Sequence, residues 1–304
     1  MNNNIREVCD FTIRNFRKAS ETLRFDGELI NHFASMLNGY KRRYIDGERI
    51  RVIRNTIEEK TSKTSQFRGD TLYILSFLIE SNQGFMQEKI LNDIVCVYDI
   101  MIDKNMPISE QLVLSAYTIC RYADKKDYKK YIEIAEEMYT LLNENYLLCV
   151  MFALNNNTKD EISNVLELYS NSSFSKSMLA SMILNNKNVE KKIRICEILN
   201  KELDESKLKI PAQFLPVADL ELLDENVDRC IHFVKQVTEY MCIEESAYIM
   251  YMDTEIRNMI ALTSVLMSDR RKIINMKFVD EFLAYGVYAT SVNKNQSVFD
   301  EILA

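Results

Sequence analysis

The sequence predicts an all-α protein, an irregular α-solenoid of stacked helical hairpins, and three observations predict it. Only six Gly and three Pro occur in 304 residues, too few turn formers for a many-stranded sheet. Apolar residues make up 47% of the chain, enough for a continuous core in spite of a net charge of -7. Finally, those residues recur at i, i+3 or i+4, and i+7, the spacing that lines one face of a helix. Ordinary helix lengths then give roughly 14 to 16 helices and about 75% helix.

Each stripe can be read off in order. Ile90, Ile94, Val97, Tyr98 and Met101 share a face opposite Glu88, Asn92, Asp93 and Asp99. Tyr128, Tyr131, Ala135, Met138, Tyr139 and Leu142 form the next stripe, with Glu133, Glu136 and Glu137 opposite. Ile162, Val165, Leu166 and Tyr169 make a shorter one, and Thr158 with Glu161 spells a capping box ahead of it. Val189, Ile193, Cys196, Leu199 and Leu203 are echoed at the same offsets by Val227, Ile231, Val234, Val237 and Met241. Shorter, more apolar segments alternate with these: Leu72 to Ile79, Leu112 to Ile119, Leu147 to Leu154 and Met178 to Leu184.

Short echoes suggest repetition. Leu154-Asn155-Asn156 recurs as Leu184-Asn185-Asn186, and Leu75-Ser76 as Leu114-Ser115. Units of about 30 to 40 residues with two helices each are the signature of an α-solenoid, in which a hairpin shelters its apolar face only by leaning on its neighbours. The spacing is uneven, so the repeat is degenerate. Pro107 and Pro211 suit the first turn of a helix, Pro216 should kink or delay the one after Pro211, and Gly39 and Gly47 suit helix ends. No long linker is visible, since the polar stretch Thr61 to Ser65 is too short. The expectation is one helical-repeat domain over residues 1–304, with more basic helices in 1–64 and degenerate hairpins in 65–304.

The order of segments resembles a known family. Leu23-Arg24-Phe25, then Glu28-Leu29-Ile30-Asn31-His32-Phe33-Ala34, then Ser65-Gln66-Phe67-Arg68 opening a short apolar helix, lead into helices ending in Tyr98, Tyr139 and Tyr169, with Asp269-Arg270 near the end. This arrangement is similar to the bacterial family catalogued as domain of unknown function 4003, from about Ile5 to the region of Ala289. The resemblance implies an all-helical intracellular protein of Firmicute-like bacteria and carries no catalytic residue across.

Chemistry-bearing motifs are sparse. The seven Cys, at 9, 96, 120, 149, 196, 230 and 242, include no CxxC pair, and an odd count argues against a disulfide framework. Most stand at apolar helical positions and read as small core residues of a reducing compartment. Residues 1 to 10 carry no basic-then-apolar signal, and charge interrupts every apolar run well before a span length of about eighteen residues. A cytoplasmic protein without a membrane anchor is expected. There is no Gly-x-Ser-x-Gly and no Gly-rich phosphate loop, so no catalytic residue and no cofactor is assigned.

Two His remain, His32 and His232. Glu28 with His32, and Asp228 with His232, are i, i+4 pairs that share a helix face and could supply four metal ligands if their helices met. That alternative, an enzyme or a ligand- or metal-binding protein using a buried Glu/His/Asp cluster, requires the two His within roughly 10 Å.

Charge is uneven. Residues 1–70 hold 14 Lys/Arg against 10 Asp/Glu, and residues 71–304 hold 24 against 35. The excess gathers at Lys41-Arg42-Arg43-Tyr44 and at Arg49, Arg51 and Arg54, where an anionic partner or, as a minor reading, a nucleic-acid backbone would be attracted. Tyr248, Met250, Tyr251 and Met252 are candidates for an adaptable groove. The expected function is a non-catalytic cytoplasmic helical-repeat protein that binds a peptide or protein partner, with Arg43, Arg51, Arg54, Tyr248 and Tyr251 as contact candidates.

Overall fold

The computed structural model describes residues 1–23, 28–82, 87–142, 145–184, 188–210, 226–250, 252–273 and 276–303, with the side chains of 28, 87, 88, 272 and 292–303 outside the description. All regular structure among them is helical. The helices are α1 (Asn3–Thr22), α2 (Glu28–Tyr40), α3 (Gly47–Lys60), α4 (Asp70–Ser81), α5 (Gln87–Asp103), α6 (Glu110–Tyr122), α7 (Tyr128–Leu142) and α8 (Tyr146–Asn155). There follow α9 (Lys159–Leu168), α10 (Lys176–Ser181), α11 (Val189–Glu205), α12 (Val227–Glu244), α13 (Ala247–Met250), α14 (Thr254–Leu266), α15 (Arg270–Ile273) and α16 (Val279–Leu303). A short 3-10 turn, Lys125–Asp127, precedes α7. Pro211 and Pro216 and the Asn185-Asn186 echo fall outside the described residues, and Pro107 lies in the loop before α6 instead of in its first turn.

The chain divides into two compact units, residues 48–189 and residues 1–47 with 190–304. The division therefore runs through the expected hairpin region of 65–304, and it separates residues 48–64 from the rest of the basic amino-terminal helices.

In residues 48–189 the apolar segments become the inner helices. α4, α6 and α8 are buried over most of their length, and α6 packs on both α4 and α8. The amphipathic α5 and α7 bury one stripe each, Ile90, Ile94, Val97, Tyr98 and Met101 in α5 and Tyr128, Ile132, Ala135, Met138 and Leu142 in α7. α5 packs on α6 and α7, and α7 on α8 and α9. Every closely packed pair here is at most one helix apart in the chain. The capping box of α9 is present: Thr158 Oγ1 accepts from the Glu161 amide at 3.2 Å, and Glu161 Oε2 accepts from the Thr158 amide at 2.9 Å. Asn156, in the left-handed region at φ 59°, ends α8.

The other unit is organised differently. α1 lies along α2, α2 packs on α14 and α16, and α1 on α12 and α14. Helices more than two hundred residues apart thus surround α1 and α2, so packing between sequence neighbours does not describe this unit. The α1–α2 interface is close and unusually polar, with Thr12, Asn15, Asn31, His32, Ser35 and Asn38 all buried. Gly39 explains the closeness. It stands in the last turn of α2, where a Cβ would meet the side chain of Thr12 and come within 3.1 Å of its Cα. It stands at a helix end, as the sequence suggests, and this close approach is its role there.

Candidate functional site

The basic run 41–43 follows α2 and is locked by its neighbours. Asn15 on α1 donates from Nδ2 to the Arg43 carbonyl at 2.7 Å and accepts from the Ile45 amide at 2.9 Å. Arg42 adopts φ 53°, and its guanidinium donates to Glu7 at 2.5 Å and to the Ser268 carbonyl at 2.9 Å. That clasp ties the turn to α1 and to the end of α14, and it points Arg42 away from a role as a free surface charge. Its side chain is largely buried.

Lys41 and Arg43, on either side of Arg42, line an open cleft of about 360 Å³ together with Tyr40, Arg270 and Ile273. Tyr40 and Ile273 are mostly buried and form apolar wall, and Arg270 is exposed on α15. Beside the cleft lies Asp280 in the first turn of α16, with 1% of its surface exposed. It accepts from the Tyr40 hydroxyl and, at 2.8 Å, from Lys41 Nζ. A buried carboxylate is tolerated only with such partners. The site therefore combines three cationic side chains, one internal counter-charge and an apolar wall, a chemistry suited to holding a carboxylate or other oxyanion attached to an apolar body.

A family model matches residues 15–296, described as protein of unknown function, DUF4003. The chain belongs to the DUF4003 family. No curated protein and no solved structure matches it. The matched stretch of this DUF4003 protein contains the five cleft residues named above.

The remaining sequence candidates of the DUF4003 chain are dispersed. Arg51 is exposed and donates to Glu48 one turn before it, at 2.5 Å. Arg54 lies over the rings of Tyr73 and Phe77, 4.7 and 5.2 Å from their centroids, and donates to Ser76 Oγ at 3.2 Å. Both belong to the 48–189 unit, Arg43 to the other. Tyr251 falls outside the described residues.

Tyr248 requires a correction. It is fully buried, not a groove contact, because α13 turns its ring onto His32 and Phe16, at 5.5 Å from each centroid. Burial raises its phenol above the usual range, with Cys9 next in effect. Its hydroxyl has no hydrogen-bond partner among the described residues. The exposed apolar residues of this region are instead Ile243, Ile249 and Met250.

The proposed metal cluster is also corrected. His32 is fully buried, whereas Asp228 and His232 are exposed on α12, because they occupy the outer face of a helix whose buried face is Val227, Cys230, Ile231, Val234, Val237 and Met241. The Glu28 side chain is outside the description. Among the described residues no group of three His, Cys, Asp or Glu is placed to hold a metal ion. Likewise no helix among them is long and apolar enough to cross a membrane.

Sequence reasoning found Lys41 and Arg43 but missed Tyr40, Arg270, Ile273 and Asp280 as site residues. Arg270 stood in the Asp269-Arg270 pair quoted for the family, yet nothing in the chain links it to a segment more than 220 residues earlier. The packing of α2 on α14 and α16 and the bond from Arg42 to the Ser268 carbonyl do so.

Proposed function

We propose that this DUF4003 protein is a non-catalytic helical binding protein whose peptide or protein partner presents an acidic segment to the Tyr40–Lys41–Arg43–Arg270–Ile273 cleft. The observation that carries the reading is an open cleft where Arg43 and Arg270 stand beside a Lys41 held by Asp280, in a chain of net charge -7. Arginine keeps its proton across the physiological range, so Arg43 and Arg270 bind and orient an anion but do not exchange protons with it. Tyr40 and Ile273 favour an acidic residue flanked by apolar ones over a bare ion. In the same reading, the neighbour-on-neighbour hairpins of 48–189 form a degenerate helical repeat that shelters its own core. Seven free thiols support a reducing compartment, the cytoplasm.

The test is fluorescence anisotropy of the full chain with three labelled decapeptides alternating Leu with Glu, Gln or Lys. The Glu peptide should bind, weaken as salt is raised, and lose at least tenfold in affinity when Arg43 and Arg270 are both replaced by Gln. Equal binding of all three peptides, an unaffected double variant, or tighter binding of a DNA or RNA oligonucleotide through the same residues would overturn the reading.

A further inference from the structure

Lys41 faces two ways. Its side chain is 17% exposed and lines the cleft, while its ammonium touches Asp280, 239 residues away in the chain. Asp280 is buried in the first turn of α16, which packs on α2. The backbone enters that turn through Phe278, fully buried and in the left-handed region at φ 62°. Tyr40 and Lys41, which both donate to it, are cleft residues.

We infer that Asp280 governs the affinity of this cleft for acidic ligands by holding the Lys41 ammonium and cancelling its charge, so that recognition falls to Arg43 and Arg270. The inference rests on the binding reading above and adds its regulation. Asp280 is a positioning residue, since it acts through Lys41. A buried carboxylate already held by the Tyr40 hydroxyl competes for the ammonium better than a solvated ligand carboxylate, because its desolvation is complete in the folded protein. Removing that negative charge while keeping its shape takes one counter-charge away from a cleft cation.

Two measurements on the full chain test this. In the first, reductive methylation is followed at Lys41 by mass spectrometry in the wild type and in Asp280→Asn. Lys41 should modify at least threefold faster in the variant, with other lysines unchanged. Equal rates overturn the inference whatever any peptide does. In the second, Asp280→Asn should bind the Leu/Glu decapeptide about three- to tenfold more tightly and with a steeper loss on adding salt. Lys41→Gln should erase the gain in the Asp280→Asn background. Weaker binding by Asp280→Asn overturns the inference, since Asp280 would then be presenting Lys41 to the ligand. Should Asp280→Asn fail to fold, Asp280→Ser takes its place in both measurements, with the same outcomes supporting or overturning the inference. Peptide binding absent from both proteins while Lys41 responds as stated would defeat the docking reading and leave the Asp280–Lys41 coupling standing.

Discussion

The imidazole of His32 lies flat against the ring of Phe16, with centroids 4.3 Å apart and planes within 10°. This stack joins α1 to α2, and Tyr248 closes over both rings. Helix α13 is thereby attached to the amino-terminal pair. Aromatic contacts of this kind add specificity to area burial.

Phe16→Ala should accordingly destabilise the protein by about 3 to 5 kcal/mol, the usual range for emptying a buried aromatic site. Urea denaturation followed by circular dichroism would measure it. A shift below about 1 kcal/mol would mean that the stack is not a centre of the unit's core.

Gly39→Ala sets two effects against each other. Alanine favours helix over glycine by about 1 kcal/mol, whereas the new Cβ meets Thr12, and overpacking costs about 1 to 3 kcal/mol. Net destabilisation is expected because the Thr12 backbone is involved as well as its hydroxyl. Adding Thr12→Ala should recover part of the loss, so that the double variant is less destabilised than the sum of the singles. Additive losses would count against the close approach.

Thiol chemistry gives a pH-dependent outcome. Burial pushes Cys9, Cys120, Cys149 and Cys230 from an ordinary 9.0 up to about 12. A neutral thiol kept in the folded state and ionised in the unfolded one favours folding fully below pH 9, and that contribution is lost as pH rises toward 12. Stability should therefore fall between these limits, by on the order of 1 kcal/mol per pH unit for each such thiol. At pH 8, Ellman's reagent should react first with Cys96, which is exposed. A fast phase that survives Cys96→Ser unchanged would contradict this.

The capping box of α9 makes a local prediction. Thr158→Ala removes the acceptor of the Glu161 amide and should cost about 1 kcal/mol. Thr158→Ser should cost much less. Thermal melts of both variants would separate loss of the cap from loss of the methyl group.

Much of the fold was legible in the chain because helical periodicity is local. The stripes of α5 and α12, the capping box at Thr158 and the apolar segments that became α4, α6 and α8 needed only neighbours within a few residues. The site was legible in part. The run 41–43 was visible as charge, but Arg42 proved to be a clasp for Glu7 and Ser268. The Tyr248–Met252 segment looked like a groove because Tyr and Met suit both cores and surfaces, and periodicity over a four-residue helix is too short to tell them apart. Asp228 and His232 share a face as spacing requires, yet that face looks outward.

What the sequence by itself determined is the helical class, the positions of the main helices and the absence of sheet-forming punctuation, since propensity, periodicity and turn supply act over short stretches. The tertiary structure alone decided that residues 1–47 join 190–304, that α16 reaches α2, and that Lys41 meets Asp280 beside Arg270. Pairings across more than two hundred residues depend on which apolar faces and polar groups satisfy one another in three dimensions, and many partners are equally apolar. A buried carboxylate finds its ammonium only after the helices that carry both have packed.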